Sequence, residues 1–234
     1  MISDKEYVEV FPCVYFSDGR VAKNVFIPVG TTTKKEFSEL LAKGYRRTGP
    51  FFYRNQCENC SACIPIRIDV ESFKPGKSQR RTISKNKDVL VVHKIYEKAE
   101  PRITTKKLSL YQRYVTLRHN QKDIEHIIAL NSLHYGFYAT REIDFFIDKR
   151  LVGVSVIDEA EDAFSSNYFY YEPSLYKRRL GIFSILEEIK YCIEEKKKWL
   201  YLGFWIKELS KMAYKAEFKP YECYINGEWV RFFE

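Results

Sequence analysis

Cys57, Cys60 and Cys63 stand in the run CENCSAC with two residues between successive thiols. Thiols at that spacing on one loop can converge on a soft cation, and a tetrahedral site needs four such donors. Cys13, on a separate segment, is the available fourth. The same spacing suits an iron–sulfur cluster. The alternatives are a loop of metal-free thiols, or a pair that oxidises. Cys192, inside a predicted helix, and Cys223, inside a predicted strand, read as structural.

Basic residues form the second chemical group. KPGKSQRRTISKNK, from Lys74 to Lys87, holds six cations and no acid. Lys77, Arg80 and Arg81 are its centre, and arginine forks match phosphate oxygens. A solvated helix face is the plain alternative, but the missing counter-charge favours a polyanion. A second cluster, YKRRLG, supplies Arg178, Arg179 and Gly181 ahead of a predicted helix. An Arg-x-x-Gly turn there resembles the turn of GNAT-type acyltransferases, in which backbone amides surround a pyrophosphate. Phe183 replaces the small residue that usually closes that turn, which disfavours coenzyme A. Lys211 and Lys215 are four apart on a predicted helix, share a face and suit RNA phosphate.

Candidates for proton transfer are fewer. Glu172 ends the tyrosine-rich run NYFYYEP, immediately before Pro173, and a plain surface carboxylate is the competing reading. His119 follows a predicted helix, where a structural or exposed histidine is the commoner outcome. Side chains alternate along a strand, so Tyr168 and Tyr170 share one face and Tyr171 takes the other. The expectation is that only one of these sets lines a cleft.

The elements that must hold these groups can be read from periodicity. Thr33 and Glu36 predict a capping box for a helix with Phe37, Leu40 and Leu41 inward and Gly44 at its end. FFYR (51–54), IPIRIDV (64–70) and VLVVHKI (89–95) read as strands, with a short basic helix capped by Ser78 between the last two. Helical patterns follow over 104–118 and 122–133. DFFID, RLVGVSVID and NYFYYEP are three strands. RRLGIFSILEEIKYCIEEKKK is an amphipathic helix with Ile182, Ile185, Leu186, Ile189 and Ile193 on its apolar face. WLYLGFW (199–205), a short helix near 208–216 and a hairpin turning at Asn226–Gly227 close the chain. The pattern is α+β.

At 234 residues, with 45% hydrophobic and 30% charged residues, the chain is long enough for one large core or two small domains. A net charge of +8 favours a nucleic acid or an anionic surface as partner, and 16% aromatic content offers rings for unstacked bases. No run of about 18 apolar residues predicts a membrane span, and MISDKEYVEV lacks an apolar signal region. A cytoplasmic location is expected, where clustered cysteines stay reduced.

Five blocks then point to one family. GYRRTGPFFYRNQCENCSACIPIRI, SQRRTISKNKD, SSNYFYYEPS, RRLGIFSILEEI and YLGFWIKELSKMAYKAEFKPYE, in this order, resemble the aminoacyl-tRNA–protein transferases. The nearest resemblance is to the short bacterial aspartate/glutamate leucyltransferases, relatives of the eukaryotic arginyltransferases. It spans roughly Cys13 to Trp229. It implies two GNAT-like halves, a duplicated acyltransferase fold, divided here into residues 1–100 with the cysteines and basic segment, and 101–234. It implies transfer of leucine from leucyl-tRNA to the N-terminal α-amine of proteins beginning with Asp or Glu, in the N-degron pathway. No cofactor is implied for transfer itself, while an iron–sulfur cluster or zinc at the cysteines is. In the GNAT arrangement NYFYYEP and WLYLGFW lie side by side, parallel, and splay to admit the acyl donor. Glu172 at the strand end would then accept the amine proton, with Tyr168 and Tyr170 beside it. The family usually ends this strand with Asp-Pro, so Glu172-Pro173 is a departure.

Three other readings stay open: an arginyltransferase with the same acceptors, a non-catalytic tRNA-binding protein, and a coenzyme A-dependent acetyltransferase. A leucyl side chain wants an apolar slot and an arginyl one wants a carboxylate.

Overall fold

The computed structural model describes residues 6–96, 102–119 and 125–233. The chain opens with β1 (Tyr7–Pro12) and β2 (Val21–Pro28), then α1 (Lys34–Ala42), β3 (Arg46–Thr48), β4 (Phe51–Asn55) and β5 (Ile64–Asp69). Next come α2 (Lys77–Lys85), β6 (Leu90–Lys94), α3 (Thr105–His119) and α4 (His126–Tyr135). The rest is β7 (Thr140–Ile147), β8 (Arg150–Glu159), β9 (Ala163–Tyr171), α5 (Leu180–Glu194), β10 (Trp199–Trp205), α6 (Ser210–Ala213), β11 (Tyr221–Ile225) and β12 (Glu228–Phe232). Short 3-10 turns precede α5 and follow α6.

The architecture is α+β with two sheets. Strands β1-β2-β4-β3 form the smaller, and β12-β11-β5-β10-β9-β8-β7-β6 the larger. Helix α5 covers one face of the larger sheet, burying Ile182, Ile185, Leu186 and Ile189 against Ile66, Ile68, Phe145 and Phe164. Helices α3 and α4 cover the other face, where Leu110, Val115 and Leu130 meet Val154, Val156 and Tyr170. Helix α1 packs Phe37, Leu40 and Leu41 on Phe52 of the smaller sheet and on Phe137.

Local signals explain most of these elements. The Thr33 hydroxyl accepts from the Glu36 amide at 3.2 Å, and the Glu36 carboxylate accepts from the Thr33 amide at 2.8 Å. The β11–β12 turn has positive φ at Asn226 (52°) and Gly227 (89°), as a tight hairpin requires. Other expectations need correction. Gly76, not Ser78, caps α2, and Gln79 Oε1 closes that cap by accepting from the Gly76 amide at 2.7 Å. Ile193 is 55% exposed, because Tyr191 and Cys192 take the buried positions in the last turn of α5. Residues 122–124, where a helix over 122–133 was to begin, lie outside the described residues, as does the expected boundary at 100–101. The sheets do not divide there. Strands β5 and β6 precede residue 100, yet β5 runs between β10 and β11 and β6 edges the larger sheet beside β7. Among the described residues no helix is long and apolar enough to cross a membrane.

Candidate active site

Strands β9 and β10 are parallel and paired over three residues only, Ala163–Ser165 against Trp199–Tyr201. Beyond Ser165 and Tyr201 they part. Each carries an irregularity at the parting: β9 slips against β8 between Tyr168 and Ser166, and β10 against β5 between Tyr201 and Phe204. A bulge bends its strand away from its neighbour. The expected splay is therefore present, and it opens a cleft of about 650 Å³.

Tyr168, Phe169 and Tyr171 from β9 line the cleft, with Leu202 from β10, Ile182 and Ile185 from α5, and Lys211, Tyr214 and Lys215 from the segment after β10. Arg46 from β3 reaches it from the smaller sheet, and Tyr114, Arg118 and His119 close it from the end of α3. No Asp or Glu is among the described residues that line it. Tyr168 and Tyr171 both pack on Tyr114, with ring centroids 6.3 and 5.1 Å away. Burial pushes the Tyr168 and Tyr114 phenols up and the Tyr214 phenol up to about 12, so all three stay protonated donors at neutral pH.

Lys215 is the unusual cation of this cleft. Its ammonium turns inward and donates to the Phe204 carbonyl at 2.7 Å. Burial, with the Arg46 charge adding to it, pulls its pKa down to about 7. A lysine so placed is neutral for much of the time near pH 7 and can take a proton. This differs from the expected phosphate-binding role on a face shared with Lys211. Helix α6 ends at Ala213 and a 3-10 turn begins at Tyr214, so Lys211 stays exposed while Lys215 is drawn into the wall. His119 sits at the exposed rim, its pKa lowered by burial and by Lys211 and Arg118.

The carboxylate singled out from the sequence is elsewhere. Glu172 is 4% exposed and does not line the cleft. It caps the 3-10 turn before α5, accepting from the Ser174 amide at 3.4 Å and the Ser174 hydroxyl at 3.0 Å. Arg113 and Arg150 donate to its other oxygen at 3.1 and 2.7 Å. Burial alone would raise this carboxyl, but the Ser174 bonds and the Arg113 charge hold it below its ordinary value. A carboxylate so stabilised is a poor proton acceptor. Tyr170 also misses the cleft. It is fully buried on the α3 face, with its hydroxyl 3.2 Å from His134 Nε2. Tyr168 shares that face, as alternation requires, yet reaches the cleft because it stands where β9 has parted from β10. Residues from both faces of β9 therefore line it.

The two basic clusters meet. Arg179 donates to the Ser78 hydroxyl at 2.6 Å, Lys85 to the Lys177 carbonyl at 2.8 Å, and Asn86 to the Arg178 carbonyl at 2.9 Å. Helix α2 is thus pinned beside the turn that starts α5, and Arg179 and Gly181 of that turn also border the cleft. Lys77, Arg80 and Arg81 remain exposed on α2. Arg178 is less available, being paired with Asp88 at 2.7 Å just beyond the acid-free run.

Cys13, Cys57, Cys60 and Cys63 line one cavity of about 680 Å³ beside the smaller sheet, which Phe204 also lines. All four are free and half-buried. Cys60 Sγ accepts from Arg20 at 3.2 Å, and Cys57 Sγ from the Lys23 amide at 3.4 Å. Burial, and then the other three sulfurs, push the Cys63 thiol up to about 12. The donor set is of the right kind for a thiolate-bound metal centre. Among the described residues, however, no three His, Cys, Asp or Glu side chains are drawn together as a ready ligand group.

Sequence reasoning missed Arg46 and the burial of Lys215. Arg46 stands in GYRRTGP, on a strand of three residues that leaves no periodicity to read.

Residues 11–81 match the N-terminal model, and residues 106–225 the C-terminal model, of the arginine-tRNA-protein transferases. A protein named aspartate/glutamate leucyltransferase from Saccharophagus degradans is 36% identical, covering 94% of this chain and 93% of its own. Another of that name, from Teredinibacter turnerae, is 37% identical over 94% of this chain and 90% of its own. The solved structure of FemX superposes with a TM-score of 0.45 at 9% identity, over 88% of this chain and 81% of that one. The molecule is an aminoacyltransferase. It belongs to the arginine-tRNA-protein transferase family.

Proposed function

We propose that this enzyme transfers leucine from leucyl-tRNA to the N-terminal α-amine of proteins that begin with Asp or Glu, marking them for degradation in the cytoplasm. The observation that carries this reading is the wall of the cleft. Phe169, Ile182, Ile185 and Leu202 offer an apolar slot for a leucyl side chain, and the described lining has no carboxylate to pair with an arginyl one. The names of the relatives support the same donor and acceptors.

The chemistry asks little beyond positioning, since the aminoacyl ester is already activated. The wedge of β9 and β10 is of the GNAT kind, with the 3′ aminoacyl-adenosine in place of coenzyme A. The acceptor amine, with an ordinary pKa near 8, attacks the ester carbonyl as the free base. The carbon–nitrogen bond forms and the bond to the ribose oxygen breaks. The proton released from nitrogen passes to Lys215, and a proton returns to the ribose oxygen. Tyr168 and Tyr214 hydroxyls supply donors for the developing oxyanion. Exposed Lys77, Arg80, Arg81, Arg179 and Lys211 hold the tRNA acceptor arm by its phosphates.

We further propose that Cys13, Cys57, Cys60 and Cys63 hold one zinc ion or iron–sulfur cluster, which would pin the 57–63 loop to the end of β1. Elemental analysis and an absorption spectrum of anaerobically purified protein test this; near-stoichiometric zinc or iron is expected, and the lack of both leaves a thiol-rich loop.

The test of function is transfer of radiolabelled leucine or arginine from tRNA to peptides starting with Asp, Glu, Lys or Ala. Leucine should pass to the Asp and Glu peptides only. Arginine transfer would establish the arginyl donor, and tRNA retention without transfer would leave a binding protein.

A further inference from the structure

Arg46 is a guanidinium without an acidic partner among the described residues. Its guanidinium lies over the Phe204 ring, 5.3 Å from the ring centre, and against the backbone of Gly203. Its Nε is buried without a hydrogen-bond partner among the described residues. Arg47, Arg67, Arg141 and Arg113 are each paired with a carboxylate, of Asp158, Glu222, Glu159 and Glu172; Arg54 shares the orphaned Nε of Arg46 but lies over the Tyr45 ring and lines the cysteine cavity, not this cleft. A half-buried cation left unpaired is costly, and an anion arriving in the cleft would offset that cost.

The seat of Arg46 is built. Gly203 has a φ of +74°, and a β-carbon there would run into the Arg46 guanidinium. This glycine lies in the irregularity of β10 between Tyr201 and Phe204, at the point where the cleft begins. Strand β3 presents Arg46 to the cleft because Arg47, on its other face, is fixed in the interior. Arg47 donates to Asp158 at 2.7 Å, to the Gly49 carbonyl at 2.9 Å and to the Leu133 carbonyl at 2.7 Å.

An anion that binds Arg46 arrives beside Lys215, since both line the same cleft and both lie against Phe204, Arg46 over its ring and Lys215 on its carbonyl. RNA phosphate has other cations to meet it in this proposal, the exposed ones of α2, Arg179 and Lys211. The acceptor carries its own anion one methylene (Asp) or two (Glu) from the carbon that bears the attacking amine. A carboxylate reader must therefore lie next to the group that takes the amine proton. We infer that Arg46 forms the acceptor subsite and reads the acidic side chain of the acceptor's first residue, a role that rests on the proposed acceptors. Two parallel N–H donors facing two carboxylate oxygens reject the isosteric Asn and Gln, whose amide nitrogen would be set against a cation.

The experiment compares kcat/KM for leucine transfer to peptides differing only in Asp or Asn, and Glu or Gln, at the first position. It uses the full chain as wild type, Arg46→Gln and Arg46→Lys, with leucyl-tRNA affinity measured at several salt concentrations. Wild type should favour Asp over Asn by at least about 10²-fold. Arg46→Gln should bring that ratio near unity, chiefly by loss on the Asp peptide, with tRNA affinity and its salt slope unchanged. Arg46→Lys keeps the charge without the fork and should lower the ratio by about 10-fold. It remains informative if the glutamine variant does not fold. An unaltered Asp-to-Asn ratio in either variant overturns the assignment. So does a fall in tRNA affinity with the ratio intact, which would make Arg46 a phosphate contact. A wild type that transfers leucine but not to acidic termini refutes the acceptor reading itself, before any variant is compared.

Discussion

The Arg46 guanidinium lies directly over the α-carbon of Gly203, in space that any other residue's β-carbon would occupy. Gly203→Ala therefore meets two penalties, a left-handed backbone worth about 1–2 kcal/mol to an L-residue and a displaced arginine. Thermal unfolding should show a modest drop in Tm. Leucine transfer should fall further than stability does, by about 10²-fold, because the displaced cation sits beside the reacting groups. A variant with wild-type kcat/KM would mean that the close approach has no part in the reaction.

Lys215→Met should lower transfer by about 10²-fold or more, the usual span for a positioned base. The pH profile gives the sharper readout. With the Lys215 pKa pulled down to about 7, wild-type rate should climb as pH rises through that value. The variant should keep only the later rise due to the acceptor amine. Stability changes in the same sense: the unfolded chain holds this proton up to its ordinary value of 10.5, so stability is lost as pH falls from there toward 7. Methionine should flatten that dependence, measured by denaturant unfolding across the range.

Glu172→Gln separates the sequence-based expectation from the structure. A general base would lose about 10²-fold in rate. A capping carboxylate held by Arg113, Arg150 and Ser174 should cost about 1–3 kcal/mol of stability instead, through the charged groups left unmatched. The expected result is a lowered denaturation midpoint with turnover within a few-fold of wild type.

Arg80 and Arg81 stand exposed on α2, on the segment that docks against the α5 turn. Changing both to Ala should weaken leucyl-tRNA binding. Each lost phosphate contact removes about 0.7–0.9 from the slope of log affinity against log salt. A salt titration of the binding constant checks this, and an unchanged slope would place the RNA elsewhere.

Much of this was legible before the fold. The capping box at Thr33, the hairpin at Asn226–Gly227 and the parallel, splayed pair of β9 and β10 follow from local turn chemistry, periodicity and family resemblance. What escaped were facts of long-range neighbourhood. Asp88 claims Arg178 from outside the acid-free run. Glu172 looked catalytic by its position at a strand end, but Arg113 and Arg150 come from distant segments to hold it. Lys215 looked like a phosphate ligand by its spacing from Lys211, and only the change from α6 to a 3-10 turn shows that it points inward. Strands β1 and β2 went unread although they have six and eight residues, while β3, with three, is too short to carry a pattern, and with β3 went Arg46.

The clasp between Arg47 and Asp158 has a consequence for chain length. Strand β3 is three residues long, and its two arginines differ only in which way they face. Deleting or inserting a single residue between Gly44 and Gly49 would exchange them, sending the partnerless side chain into the interior and the anchored one out. Such a change would strand Asp158 without its cation at the same moment that it emptied the floor of the cleft. This stretch should therefore keep its length through evolutionary drift and engineering alike, even where neighbouring surface loops grow and shrink.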